Sequence, residues 1–226
     1  MSKGQMVFTA GYLLAWPALM LWLSGDWLWP EGWIWGVWFV ATTAGCTIYL
    51  YYHDPDLLQE RFRKPGTGNA EPWDKVFFAL TGTSFLAWIV VMPLDSVRMH
   101  WSPEFPFAIK AIGSLLLLLS SYLLYAAFRD NTFLSPLIRI QEERKQKLIT
   151  TGIYSVVRHP MYAGALCLFV GSPLLLSSWA GLGVGAVVVG LMAWRTLGEE
   201  RMLLREFPDY QAYQQKTRYR WVPYIW

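Results

Sequence analysis

Long apolar stretches are the feature of this sequence that most constrains its fold. Six of them hold about 20 mostly apolar residues, which is the length that a helix needs to cross a bilayer. They run over roughly residues 5–24, 32–53, 73–93, 107–128, 160–177 and 179–197. Only 15% of the residues are Asp, Glu, Lys or Arg, against about 25% in an ordinary soluble protein. The sequence therefore predicts an all-α, polytopic integral membrane protein with about six transmembrane helices.

Basic residues fall mostly on one side of this predicted bundle. Of the 19 Lys and Arg residues, all but Arg98 and Lys110 would share the side that holds both termini and the long loops. By the positive-inside rule, that side is cytoplasmic. The first apolar run lacks a small-residue cleavage site before Trp16 and Pro17, so we expect an uncleaved first span rather than a signal peptide.

The last two apolar stretches are joined only by "SSWAG", which predicts a tight helical hairpin. Its second arm carries Gly181 and Gly185 four residues apart, with Gly190 further on. Small residues at this spacing let helix backbones approach closely.

Two segments near the hairpin are polar or amphipathic rather than uniformly apolar. Residues 130–159 centre on "QEERKQK" and predict an interfacial helix and loop, not a span. The tail, residues 199–226, predicts a cytoplasmic helix that lies against the membrane or the loops. Its apolar residues recur at near-helical spacing and are Met202, Leu203, Phe207, Tyr210 and Tyr213.

Composition and cysteine usage exclude some classes of function. Cys46 and Cys167 lie inside apolar runs, and no Cys/His spacing is typical of a metal site, so we expect no metal. The net charge of +3 is small and gives no indication of a nucleic-acid partner. No feature of the sequence indicates an oligomeric state.

Ionisable residues gather at the predicted cytoplasmic ends of the last two spans. Arg158, His159 and Pro160 are consecutive at the start of one, and Arg195 and Glu199 lie one helical turn apart at the end of the other. Each group also has a purely structural interpretation. Arg195 and Glu199 could be a surface pair whose side chains snorkel to the interface. Arg158 could lie at the interface, with His159 flanking a helix that begins at Pro160.

The two groups together favour a binding site. The N-terminus of a helix that begins at Pro160 attracts an anion, whereas Glu199 and Glu200 offer negative charge to a cation. Tyr154, Tyr162 and Trp194 are aromatic residues that could hold a flat base or a sulfonium by cation–π contact.

Two sequence segments carry a family resemblance. "KLITTGIYSVVRHPMYAG" at residues 147–164 and "WRTLGEERMLLREFPDYQAYQQKTRYRWVP" at residues 194–223 resemble the isoprenylcysteine carboxyl methyltransferase family, including its bacterial members. The likeness covers about residues 130–226 and touches "DPDLLQERF" at residues 54–62. It implies methyl transfer from S-adenosylmethionine to a lipophilic acceptor, with a carboxylate favoured over an amine, thiol or hydroxyl, at the boundary of membrane and cytoplasm.

The resemblance also implies roles for individual residues. Arg195 would face the methyl acceptor, and Glu199 or His159 would take a proton from an acceptor that has to lose one; these three are the catalytic candidates. Glu200 is rotated about 100° from Glu199 around the helix and is expected to matter less for cofactor binding. The implied cofactor contacts are Gln141, Gln146, Lys147, Leu148, Ile149, Tyr154, His159, Pro160, Met161, Tyr162 and Glu199. Eukaryotic members usually carry His where Gln146 stands.

On this interpretation the chain has two parts that form one integrated domain. Residues 1–129 are the N-terminal transmembrane helices, and residues 130–226 are the cofactor-binding loop, the hairpin and the cytoplasmic tail. We expect a multi-pass protein of a bacterial inner membrane, with both termini cytoplasmic. Its partners would be membrane lipids and a lipophilic small molecule or lipidated substrate.

Two alternatives remain open at the level of sequence. Membrane sterol reductases, which use NADPH, share an Arg-His-Pro-x-Tyr segment and a Tyr-rich tail. They more often carry an acidic residue soon after the motif glycine, whereas Gly164 is followed here by Ala165, Leu166 and Cys167. The other alternative is a non-catalytic membrane protein of the same fold.

Overall fold

A computed structural model of the chain describes residues 3–64 and 70–226, and the regular structure of these residues is helical throughout. Its eight α-helices are α1 (Lys3–Ser24), α2 (Pro30–His53), α3 (Pro55–Arg61), α4 (Asp74–Pro93), α5 (Phe107–Asp130), α6 (Pro160–Leu176), α7 (Trp179–Glu206) and α8 (Tyr210–Lys216). Part of the loop before α4, residues 65–69, and the side chain of Lys3, one of the basic residues used to predict orientation, lie outside the described residues.

Five helices, α1, α2, α4, α5 and α7, are long and apolar enough to cross a membrane. Helix α6 is also apolar but has 17 residues, so it measures about 26 Å and is close to the shortest length that spans a bilayer. The polytopic all-α fold is therefore confirmed, with the six apolar stretches forming α1, α2, α4, α5, α6 and α7.

Capping residues explain where several helices begin. Proline occupies the first turn of α2, α3 and α6, where its missing N–H leaves no intrahelical bond unmade. The Asp54 carboxylate accepts from Leu57 N at 2.9 Å and starts α3. The predicted hairpin is present because Ser177 ends α6 in the left-handed conformation, with φ of 60°, and the Ser178 hydroxyl accepts from Gly181 N at 2.8 Å.

Glycines allow the hairpin to pack tightly against its neighbours. A Cβ at Gly181 would lie 2.6 Å from the Met92 Cγ, and one at Gly185 would lie 2.7 Å from the Phe169 carbonyl oxygen. Both glycines thus lie at close helix contacts, as their spacing predicted. Gly190 does not, because a Cβ there would have no described neighbour within 4 Å.

A buried carboxylate holds the end of the bundle opposite the long polar loop. Helix α4 continues into a π-helical turn, Leu94–Arg98, which places the 1% exposed Asp95 inside the protein. Its Oδ2 accepts from Ser102 Oγ at 2.8 Å, Ser178 Oγ at 2.6 Å and Ala180 N at 3.0 Å. These bonds fix the start of α7 against the end of α4.

The segment between α5 and α6 differs from its predicted form. It contains two short 3₁₀ turns, Glu142–Arg144 and Gly152–Ser155, and no interfacial α-helix. Lys145 and Gly152 have positive φ angles of 50° and 60°, which interrupt a helix. One of its polar residues, Arg139, pairs with Glu60 in the interior.

Candidate active site

A cavity of about 90 Å³ lies where the 131–149 loop, the first turn of α6, the end of α7 and the tail meet. This volume is below the usual range for a small-molecule site, about 300–1,000 Å³, so the residues that line the cavity, rather than its size, make it the candidate site. Most residues implied by the family resemblance line it: Gln146, Lys147, Leu148, Ile149, Tyr154, His159, Pro160, Met161, Tyr162, Arg195 and Glu199.

Gln141 is the implied cofactor contact that the structure does not bring to the cavity wall. It is 0% exposed, and its Nε2 donates to the Phe133 carbonyl at 2.7 Å while its Oε1 accepts from Arg144 at 2.8 Å. Its backbone N–H donates to the Gln146 Oε1 at 2.8 Å. Gln141 therefore holds the loop in shape, and Gln146 both braces the loop and lines the cavity.

Trp194 also lies elsewhere than its proposed aromatic role requires. It is not among the lining residues, is 39% exposed, and its ring contacts Trp73 with centroids 5.3 Å apart. The aromatic lining comes from Phe133, Tyr154, Tyr162 and Phe207, with Tyr210 and Tyr213 from α8.

A chain of hydrogen bonds links three membrane helices at the cavity wall. Tyr162 on α6 donates its hydroxyl hydrogen to Glu199 Oε2 at 2.8 Å. Arg195 Nη1 donates to the Tyr162 hydroxyl oxygen at 2.7 Å. Arg195 is in turn held by Asp74 on α4, with Nε to Oδ1 at 2.8 Å and Nη2 to Oδ2 at 3.1 Å. This chain fixes the position of the Glu199 carboxylate.

Asp74 is a functional candidate that motif reasoning missed. Its signal in the sequence was weak: an acidic residue at the mouth of the third apolar stretch, where a charge needs a partner. Besides Arg195, the carboxylate accepts from Ile138 N at 3.0 Å, so it also fixes one wall of the cavity.

Arg195 has little hydrogen-bonding capacity left for a ligand. Its Nη2 also donates to the Pro136 carbonyl at 2.6 Å. With the Asp74 and Tyr162 contacts, these bonds occupy four of the five N–H groups of the guanidinium. The guanidinium lies over the rings of Phe77 and Phe78, at 4.7 and 5.4 Å from their centroids. Arg195 therefore lines the cavity mainly as an orienting group.

Glu200 lies at the centre of a separate buried ion cluster. It is 4% exposed and accepts from Arg158 at 2.8 Å through Nε and 2.7 Å through Nη2. It also accepts from Arg220 Nε at 2.9 Å, and His159 Nε2 lies 3.3 Å away. Glu200 is not among the residues that line the cavity, and its structural role was not foreseen.

Arg158 is buried and binds the tail, rather than lying at the membrane interface as predicted. It is 6% exposed, and its Nη1 donates to the carbonyls of Thr217 and Arg218 at 2.7 and 2.8 Å. The backbone N–H of Arg158 donates to the Tyr219 carbonyl at 2.9 Å. These contacts fold the tail back over the start of α6 and close one side of the cavity.

His159 lies between two carboxylates. Its Nδ1 is 3.9 Å from Glu199 Oε2, and its Nε2 is 3.3 Å from Glu200 Oε1. Its ring packs against Tyr162 with centroids 5.6 Å apart. The imidazole thus connects the cavity wall with the buried cluster.

Tyr154 presents a buried polar atom that the described residues leave unsatisfied. Its hydroxyl makes no hydrogen bond of normal geometry to them, although the nearby Asn131, which also lines the cavity, opposes the effect of burial on its pKa. Burial raises the pKa of Tyr154, so the hydroxyl stays protonated and available as a donor. Tyr213 fixes the backbone here by donating to the Tyr154 carbonyl at 2.6 Å. A buried donor without a partner indicates a place for a ligand.

Comparisons with known proteins find similarity to methyltransferases. A family model described as "Phospholipid methyltransferase" matches residues 108–209, which include the loop, the hairpin and the cavity end of α7. Protein-S-isoprenylcysteine O-methyltransferase B of Arabidopsis thaliana is 29% identical over 140 residues, covering 59% of this chain and 65% of that protein. A probable protein-S-isoprenylcysteine O-methyltransferase of Oryza sativa subsp. indica is 35% identical over 94 residues, covering 39% of this chain and 47% of that protein.

A solved structure supports the same fold over nearly the whole chain. It is the eukaryotic intramembrane Ras methyltransferase, isoprenylcysteine carboxyl methyltransferase, with a TM-score of 0.57 and 20% identity, covering 96% of this chain and 75% of that one. The chain spans between about half and two thirds of the length of the curated relatives that it matches. The family model and the relatives' names agree with the motifs that build the cavity, and the chain is therefore similar to isoprenylcysteine carboxyl methyltransferases in both sequence and fold.

Proposed function

We propose that this protein transfers a methyl group from S-adenosylmethionine to the carboxylate of a lipophilic acceptor at the boundary of membrane and cytoplasm. The observation that carries the proposal is the cavity at the ends of α6 and α7, which combines a fixed carboxylate, Glu199, with the unsatisfied hydroxyl of Tyr154. The relatives' names, which describe O-methylation of isoprenylcysteine, support the carboxylate as acceptor.

The residues of the cavity fit S-adenosylmethionine, which carries cationic groups, a carboxylate and a flat base. Glu199 would hold a cationic group, and Tyr154 would donate a hydrogen bond. The segment from Gln146 to Ile149 borders the same space and would surround the base. When bound, the cofactor supplies an electrophilic methyl group on a sulfonium centre.

The protein's own contribution to this reaction is alignment and the exclusion of water. A carboxylate acceptor is already ionised at neutral pH, so no residue has to take a proton from it. Tyr162 and Arg195 keep Glu199 in one orientation, and correct alignment of two reactants is worth up to about 7–11 kcal/mol of the barrier. His159, next to Glu199, is the group that would take a proton if the acceptor were an amine or a hydroxyl.

Calorimetric titration of the purified protein with S-adenosylmethionine and with NADPH tests the cofactor. We expect binding of the first and none of the second, and the reverse result would favour the sterol-type reductase. Mass spectrometry of membrane extracts incubated with deuterated-methyl S-adenosylmethionine tests the reaction. A labelled methyl ester is expected, whereas a labelled phospholipid amine would replace the carboxylate with another acceptor. Binding without any labelled product would indicate a non-catalytic member of the fold.

We further propose that both termini face the cytoplasm in a bacterial inner membrane. The ends of α5 and α7 that border the cavity carry Arg129 and Arg205, whereas Arg98 and Lys110 lie at the opposite ends of α4 and α5. Reporter fusions after residue 72 and at the C-terminus should both read cytoplasmic, and a fusion at residue 100 should not. A periplasmic C-terminus would contradict the six-span arrangement.

A further inference from the structure

Arg61, the last residue of α3, is a partly buried cation that pairs with no anion among the described residues. Among the described residues, no carboxylate oxygen lies within 4 Å of its guanidinium. Its Nη1 reaches the Leu134 carbonyl only at 3.5 Å, and the group lies over the Phe128 ring at 5.3 Å from the centroid. By contrast, the buried Arg139 and Arg195 each have a carboxylate at 2.8–2.9 Å. A guanidinium in such surroundings is costly unless an anion pairs with it.

The Arg61 side chain lies within electrostatic range of the cavity. Burial and then the positive charge of Arg195 lower its pKa to about 10, while the hydroxyls of Tyr162 and Tyr154 act in the opposite direction. All three of these neighbours line the cavity. The Arg61 charge therefore acts on groups of the cavity that Arg195 borders, and an anion between the two cations would relieve their repulsion.

The backbone of α3 is held firmly enough to place this cation. The adjacent Glu60 accepts from Arg139 at 2.9 Å through both Nε and Nη2, and from Ser135 Oγ at 2.7 Å. Leu57, which is 0% exposed, packs with Leu50 in an apolar cluster. Ser135, like the Leu134 that Arg61 reaches, lines the cavity, so α3 places Arg61 next to lining residues, although Arg61 is not itself one of them.

Arg195 cannot bind such an anion itself, because its N–H donors are already engaged by Asp74, Tyr162 and the Pro136 carbonyl. We propose that Arg61 binds the anionic head group of the methyl acceptor, and that Arg195 is a positioning residue for Tyr162 and Glu199. This inference rests on the proposed function and names its acceptor-side residue. A guanidinium suits a carboxylate because its planar fork forms two parallel hydrogen bonds.

The test uses the full-length protein in phosphatidylcholine nanodiscs, with N-acetyl-S-farnesylcysteine and its carboxamide as probes. Hydrogen bonds to charged groups contribute about 1.5–3 kcal/mol, so Arg61→Gln should weaken binding of the carboxylate about 10- to 100-fold. Binding of the carboxamide should change little. Arg61→Lys should restore part of the affinity for the carboxylate, because it keeps the charge. The matched control is Arg201→Gln, which removes an exposed α7 cation that has no carboxylate within 4 Å among the described residues, and it should have no effect.

Cofactor affinity separates this role from misfolding. Arg61→Gln should bind S-adenosylhomocysteine as the wild type does, with KM for the carboxylate raised. Unchanged carboxylate affinity, or equal weakening of carboxylate and carboxamide, would overturn the assignment. So would an effect that appears only when phosphatidylglycerol is added to the nanodiscs, because Arg61 would then bind a lipid phosphate.

Failure of the proposed function would look different. A wild-type protein that binds no S-adenosylhomocysteine would remove the methyltransferase proposal. The carboxylate and carboxamide titrations would still report on Arg61, since they do not depend on methyl transfer.

Discussion

Replacing Glu200 with Gln is expected to destabilise the protein far more than the same change at the neighbouring Glu199. The substitution Glu200→Gln keeps the side-chain volume but removes the negative charge that pairs with Arg158 and Arg220. Arg158 would stay buried without an anionic partner. The two Glu residues are adjacent on α7 but point about 100° apart around the helix, so they lie in different surroundings.

The expected loss of unfolding free energy follows from how deeply Glu200 and its partners, Arg158 and Arg220, are buried. Breaking a buried ion pair costs about 3–5 kcal/mol. The side chains of Arg158 and Glu200 are 4% and 5% exposed, whereas that of Arg220 is 27% exposed and adds less. We therefore expect a loss near the lower value, about 3 kcal/mol, which lowers Tm by about 6–12 °C for a chain of this size.

Glu199 provides the matched control. Its side chain is 26% exposed, and it accepts one hydrogen bond, from the Tyr162 hydroxyl, which is worth about 1 kcal/mol. Glu199→Gln should therefore keep Tm within about 2–4 °C of the wild type and lose affinity for S-adenosylhomocysteine.

The assay is thermal unfolding in detergent followed by tryptophan fluorescence, with cofactor affinity measured by calorimetry on the same samples. Glu200→Gln should melt early, and Glu199→Gln should melt normally but bind poorly. Equal melting temperatures for the two variants would refute the assignment of Glu200 to a structural cluster.

Three further predictions concern helix packing, the Arg195 network and the cavity wall. Gly185→Ala should destabilise by about 1–3 kcal/mol, because its Cβ would meet a carbonyl oxygen at 2.7 Å, whereas Gly190→Ala, at an open position, should be neutral or slightly stabilising; equal shifts in Tm would contradict the packing. Asp74→Asn and Arg195→Gln should show a coupling energy of about 0.5–3 kcal/mol in a double-mutant cycle of unfolding, and additive losses would mean that their ion pair contributes nothing. Tyr154→Phe should weaken S-adenosylhomocysteine about tenfold in calorimetry at unchanged Tm, since one hydrogen bond of about 1.4 kcal/mol is lost; a lower Tm with unchanged affinity would assign the hydroxyl to the fold.

The membrane helices were predictable because a bilayer imposes a length and a composition on each of them. The predicted span 107–128 corresponds to Phe107–Asp130, and 160–177 to Pro160–Leu176. The last span was predicted to end near residue 197, but α7 continues to Glu206 because the amphipathic tail keeps the helical period. The path of the polar loop was harder to predict, because buried ion pairs set it and the loop has no regular spacing of apolar residues.

The site was predictable where its residues are close in sequence and not where distant helices contribute. The segment from Arg158 to Tyr162 and the pair of Arg195 and Glu199 supply most of the cavity wall. Asp74 could not be found in this way, because its partner lies 121 positions away. Gln141 was misplaced for a related reason: its side chain is bound by loop atoms whose position no local pattern specifies.

The contacts of Arg158 with the tail also bear on how this sequence can diverge. Arg158 and the His159 N–H bind the carbonyl oxygens of four consecutive residues, from Thr217 to Arg220, and not their side chains. Every residue type has a backbone carbonyl, so Arg218 can be replaced by other residues with little effect on these contacts. The number of residues between α8 and the C-terminal turn, by contrast, is fixed. Arg218→Ala should yield folded protein in normal amounts, and deletion of the same residue should not, because it shifts each later carbonyl out of register. Evolution along this segment is thus expected to proceed by substitution rather than by insertion or deletion.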